Sequence, residues 1–287
     1  MIQFFHDLFG RQSEFLFPGL VAGLLASLSC GIVGPYVITR RIVFLSGAIA
    51  HMAIGGIGVA IFLAKMVPSA FGWLAPIHGA IVASLLAAVL IGFIHDRVAE
   101  RMDTLIGALW AIGMAIGILL LKYTPGYQGD LMNYLFGSIA FVNWTDVRWI
   151  VALDVVIVIT VLLFHKKLLA ICLDQQQAAL QGINVLGTNI VLLCLVALTV
   201  ICLTQVVGLI LVIAMLSLPA ATASHHVSRM GSLFVVSTLL CAVSTTVPRI
   251  AVYGTNVTPE SAIVLTAGGV YLLSTAAQHF LRRARSA

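Results

Sequence analysis

Two ionisable side chains lie well inside apolar runs, and any chemistry in this chain has to start from them. His51 stands in the stretch 40–58, RRIVFLSGAIAHMAIGGIG, and Asp154 in the apolar run 149–164. An ionisable group in hydrocarbon costs at least ~2.5–3.5 kcal/mol on insertion scales, so both need a physical reason to be there. A neutral imidazole is a good ligand for zinc and related divalent ions. On a helix, Gly47, His51, Gly55 and Gly58 share one face at spacings of four, four and three. That face is either a close-packing seam or a track along which a small ligand passes. One imidazole is not a metal cage, since tight sites use three or four protein ligands. A transient site shared with Asp154 or with a second copy of the chain would suit passage better. For Asp154 the structural alternative is a satisfied hydrogen bond near the outer surface. His225 and His226 are adjacent, and neighbours on a helix diverge by about 100 degrees, so they read as an exposed cap and not as one site.

Several enzyme classes are excluded by what is missing. The sequence has no GxxxxGK[ST], no HExxH and no GxSxG, and Ser138 has no evident base partner. Work driven by ATP would need another subunit to hydrolyse it. Five cysteines, an odd number with no CxxC spacing, fit neither a disulfide framework nor a thiolate metal site.

The elements that must position these residues are membrane spans. Of 287 residues, 61% are hydrophobic and 9% charged, with mean hydropathy +1.12, which is the composition of a bundle of transmembrane helices. Apolar segments read at about 15–39, 43–64, 75–95, 104–122, 149–164, 189–205, 206–224, 233–253 and 260–280. The fold class is therefore an all-α polytopic bundle of eight or nine spans, read as one transmembrane domain over 1–287. The run 189–224 is too long for one span, which predicts a break around 204–207. No cleavable signal precedes the first span. The net charge of +5 is scattered between apolar runs and reads as topology signal, not as a nucleic-acid surface. With nine spans, the lysine and arginine distribution favours N-terminus outside and C-terminus in the cytoplasm.

Two connections carry pattern. The outer one, 123–148, with its flank holds Tyr127, Tyr134, Phe136, Trp144 and Trp149, residues suited to the headgroup zone, and 131–139 could form a short interfacial helix. The inner one, 165–188, contains DQQQAALQG. There Asp174 and Gln177 have the spacing of a capping box, and Gly182 suits a helix stop. This predicts a short cytosolic helix, either a connector or a docking element.

Taken together, RRIVFLSGAIAHMAIGGIG, RMDTLIGALWAIGMAIGILLL, GDLMNYLFGSIAFVNWTDV, LDQQQAALQGINV and VVGLILVIAMLSLPAATA, in that order, resemble the membrane permease subunit of the zinc and manganese ABC importers. The resemblance covers most of the chain. It implies a type II importer fold working as a homodimer in the inner membrane, with ATP held by a partner ATPase. An extracytoplasmic metal-binding protein would deliver zinc, manganese or iron. It also implies that Asp174, Gln177, Ala178 and Gly182 belong to the helix that couples to the ATPase. The family's second-span motif commonly reads G-D-A-L-S-H. Here the stretch is Ser46-Gly47-Ala48-Ile49-Ala50-His51, so Gly47 stands where the family has an aspartate. Two other readings remain: a permease for a metal chelate such as a siderophore, and an intramembrane enzyme.

Overall fold

The computed structural model describes residues 13–95, 102–124, 137 and 142–286. Among these, every regular element is a helix: α1 Ser13–Thr39, α2 Val43–Met66, α3 Pro68–Phe71, α4 Pro76–His95, α5 Met102–Tyr123, α6 Trp144–Leu173, α7 Gln175–Leu180, α8 Val185–Val207, α9 Leu209–Ser224, α10 Met230–Ala251 and α11 Pro259–Ser286. Eight of the described helices are long and apolar enough to cross a bilayer. The ninth apolar helix, α9, has 16 residues. At 1.5 Å per residue it reaches about 24 Å, short of a ~30 Å hydrocarbon core.

Three boundaries differ from the reading by hydropathy, each for a local reason. The break in the run 189–224 falls at Gly208, one residue past the expected window, because φ of +79° there is a conformation that glycine adopts without a Cβ penalty. Helix α6 is 30 residues long, far beyond 149–164. It starts early because Asn143 accepts from Thr145 and Asp146 amides while Asp146 caps the Asn143 amide in return. It runs on through His165, Lys166 and Lys167 because charge ends a hydropathy window but does not end a helix. Trp144 therefore belongs to the helix and not to the outer connection. The interfacial helix expected at 131–139 lies outside the described residues apart from Gly137.

Helix α2 is the one the others surround. Its apolar window is 72% buried, more than any other span, and it packs against α4, α5, α8 and α9. Helix α1 forms a second centre against α6, α8, α9 and α10. Helices α8 and α9 touch both groups and join them. Lipid-immersed helices gain no hydrophobic drive toward one another, so they associate by close van der Waals contact. Here that contact is backbone against backbone. A Cβ at Gly56 would collide with the carbonyl oxygen of Gly79 on α4, and a Cβ at Gly79 would collide with that of Gly56. Gly55 and Gly58 lie against Gly113 and Gly117 of α5, where an added Cβ would stand 2.9 Å and 2.8 Å from backbone atoms.

Gly56→Leu should therefore overpack the α2–α4 seam at a cost of about 1–3 kcal/mol. At ~2–4 °C per kcal/mol, the melting temperature of the solubilised protein should fall by several degrees. Gly268→Ala, where nothing lies within 4 Å of the added carbon, should not lower it in the same melting experiment, since alanine is the better helix former.

Candidate functional site

His51 sits about a third of the way along α2 and is buried, with 5% of its surface exposed. Its Nδ1 lies 2.9 Å from the carbonyl oxygen of Gly47, one turn back. A carbonyl only accepts, so Nδ1 is the protonated nitrogen and Nε2 keeps the lone pair of the neutral ring. This is the arrangement by which metal-binding histidines are commonly oriented: one nitrogen donates to the backbone and the other is left to ligate.

One face of the imidazole is covered. Trp110 of α5 lies against it, with ring centroids 4.3 Å apart and planes at 32°. A Cβ on Gly47 would stand 2.8 Å from Trp110 Cζ3 and 2.8 Å from Ile213 Cδ1 of α9. The indole thus occupies the space that a side chain at position 47 would need. Gly47 and Trp110 are two halves of one packing solution. Glycine at position 47 leaves room for the aromatic ring that shields His51.

Asp154 is buried at a different seam. It accepts a hydrogen bond from Ser29 on α1, and Cys202 of α8 lies beside the same pair. Its Oδ2 has no hydrogen-bond partner. The described contacts of His51 and Asp154 share no residue, and the structure does not bring the two side chains together. Among the described residues, no three His, Cys, Asp or Glu side chains converge in a way that could hold a metal ion.

The inner connection folds as a separate device. Asp174 leaves α6 in extended geometry and its carboxylate accepts from the amides of Gln176 at 2.8 Å and Gln177 at 3.2 Å. The Gln177 side chain makes no reciprocal bond to the Asp174 amide among the described hydrogen bonds, so this is an N-cap without the second half of the box. Gly182 ends the helix at φ +78°, with Ile183 N donating to Ala178 O at 3.1 Å and Gly182 N to Ala179 O at 3.0 Å. Those two bonds make a Schellman stop. Ala178 points inward and is buried, whereas Leu173 and Leu180 are 75% and 88% exposed.

What holds this small helix in place is Arg40, a residue that reads in the sequence only as a topology marker. Its guanidinium donates to the Ile171 carbonyl at 3.2 Å and to Asn189 Oδ1 at 3.1 Å. With the Gln175 amide oriented so that its oxygen faces the guanidinium, that oxygen accepts from Arg40 and, at 3.0 Å, from Asn189 Nδ2. One cation therefore ties the end of α1 to the end of α6, the start of α7 and the start of α8. No spacing rule could have found it, because its partners are about 130–150 residues away in sequence.

Residues 12–278 match the model of the ABC 3 transport family. The chain is similar to a probable metal transport system membrane protein of Chlamydia trachomatis, 35% identical over 90% of this chain and 87% of that one. It is 27% identical to the manganese transport system membrane protein MntC of Listeria monocytogenes over 92% of this chain and 90% of that one. It is 28% identical to the high-affinity zinc uptake system membrane protein ZnuB of Haemophilus influenzae over 73% and 77%. Among solved structures, PsaBC from Streptococcus pneumoniae in complex with Fab superposes with TM-score 0.83 at 30% identity, covering 96% of this chain and 95% of that one.

The fit of Trp110 over Gly47 can be tested by a double-mutant cycle. Gly47→Asp alone should lower the melting temperature, with an overpacking cost of about 1–3 kcal/mol. The same change in a Trp110→Ala background should cost clearly less, a coupling of at least ~0.5 kcal/mol. Strict additivity of the two melting shifts would mean that the indole does not occupy the space of residue 47.

Proposed function

Because this chain belongs to the ABC 3 transport family, we propose that it is the permease of an ATP-driven importer whose cargo is a divalent metal ion, zinc or manganese. The observation that carries this reading is His51, a buried imidazole whose Nε2 lone pair is left available inside the most enclosed span. The relatives named for manganese and zinc transport support the same cargo class. Imidazole nitrogen suits zinc better than manganese, which favours carboxylate and water ligands. With Gly47 in place of an acid, His51 offers one ligand per chain. Two copies facing each other across a shared route would offer two.

In this account a metal-loaded binding protein docks on the outer face of a homodimer and the ATPase docks on the cytosolic face. Helix α7, with Asp174 as its cap, Gln177 and the exposed Leu180 on its surface, Ala178 as its buried anchor and Gly182 as its stop, fits into the ATPase. ATP binding draws the two α7 helices together, and the Arg40 tie carries that motion into α1, α6 and α8. The nucleotide and the binding protein supply the drive by binding the two states with different affinity. Counted with α9 as a short ninth span, the lysine and arginine distribution supports α7 and the C-terminus on the cytosolic side of a bacterial inner membrane.

Two substitutions separate cargo handling from coupling. His51→Ala should reduce zinc or manganese uptake at least severalfold while the ATPase still co-purifies. Unchanged uptake would make His51 a packing residue and remove the main support for this route. Replacing residues 176–180 with a Gly/Ser linker should release the ATPase from the membrane complex; full co-purification would show that α7 is not the coupling element.

A further inference from the structure

Helix α9 ends at Ser224, and His225 and His226 follow in the turn before α10 begins at Met230. Had the helix continued, the two rings would diverge by about 100 degrees. In the tighter last turn, where His225 N donates to Thr222 O and His226 N to Ala223 O, both rings reach one atom. His225 Nδ1 and His226 Nε2 each lie 3.0 Å from the same atom, Ser274 Oγ on α11. The ring centroids are 6.5 Å apart with planes at 72°. The His225 ring is held by stacking on Tyr271 at 5.7 Å and 26°, and its backbone carbonyl accepts from Gln278 Nε2. Ser274 itself is 8% exposed, so its hydroxyl is a fixed, buried focus for both rings.

A serine hydroxyl has one proton, so it can donate to one of these nitrogens while accepting from the other. The same arrangement is a two-nitrogen chelate with an oxygen ligand already between the rings. It also lies at the C-terminal end of α9, the negative end of the helix dipole. We propose that His225, His226 and Ser274 form a divalent-cation site, taking a borderline ion such as zinc, for which imidazole is a preferred ligand. Two nitrogens and a hydroxyl leave the remaining positions to water. Tight structural sites use four protein ligands, so this one holds its ion weakly and exchanges it.

Its place in the fold gives such exchange a use. Ile213, on the same helix, abuts Gly47 next to the His51–Trp110 pair. From Ile213 to His225 the helix rise of 1.5 Å per residue spans about 18 Å. With α9 counted as a short ninth span, the two imidazoles stand at its cytosolic end, the release side of an importer. This last step rests on the proposed transport function, but the ligand set does not.

The test uses the whole chain in lipid nanodiscs with zinc alone as the probe. In equilibrium dialysis at micromolar zinc, the variant His225→Gln/His226→Gln should bind one zinc fewer per chain than the wild type, whereas His51→Ala should keep that zinc. Equal stoichiometry in the double variant overturns the proposal. A second readout needs no variant. Zinc should lower diethylpyrocarbonate labelling of His225 and His226 in the wild-type chain severalfold by peptide mass spectrometry, and labelling unchanged by saturating zinc would overturn it as well. Both readouts stand whether or not metal uptake by the assembled importer is found, so failure of the site and failure of the transport reading remain distinct.

Discussion

The structure depends on how close α2 can come to its neighbours. In a membrane, helices separated by large side chains have little to hold them together beyond lateral packing, and small residues turn that weak force into extended backbone contact. Gly56 meets Gly79 of α4, and Gly55 and Gly58 meet Gly113 and Gly117 of α5. This two-sided approach makes α2 the most enclosed span. It also fixes the height at which α5 passes α2, and so places Trp110 over His51. The choice between packing seam and passage is thus not exclusive along this helix. The glycines are filled by neighbouring backbone, while the imidazole between them keeps one nitrogen uncommitted.

A second constraint acts at the other end of the same region. The turn from α1 to α2 places Arg41 at φ +57°, an uncommon conformation for a side-chain-bearing residue that costs roughly 1–2 kcal/mol. The turn is closed by Ile42 N donating to Val37 O at 3.0 Å, and it sets Arg40 among Ile171, Gln175 and Asn189. A guanidinium can make several directed bonds from one rigid plane, which a lysine ammonium cannot reproduce. The short helix α7 is therefore not a loose connector. It is capped by Asp174, stopped at Gly182 and tied to α1, so a force applied to it reaches the spans.

What could be read from the sequence was whatever local patterning determines. Hydropathy located the spans, and the Asp174 cap and Gly182 stop located α7 to within a residue. Hydropathy misjudged α6, because Lys166 and Lys167 end an apolar window without ending a helix. The site was less legible, since its defining contacts are long-range. Nothing near Gly47 in sequence announces that Trp110 fills its space, and nothing near Arg40 announces Gln175 or Asn189. For His225 and His226, nothing near them in sequence announces Ser274, the residue about 50 positions on that both rings approach. Asp154 was visible as an anomaly, but its partner Ser29 lies on a helix far away in sequence.

The central claim is that this chain forms the route for a divalent metal ion. It is tested most directly by reconstituting the chain with its ATPase and external binding protein in liposomes and measuring internal zinc and manganese. The account predicts accumulation of one of these ions that requires ATP and is lost when the ATPase is omitted. ATP hydrolysis stimulated by the binding protein, with neither ion accumulating, would contradict it.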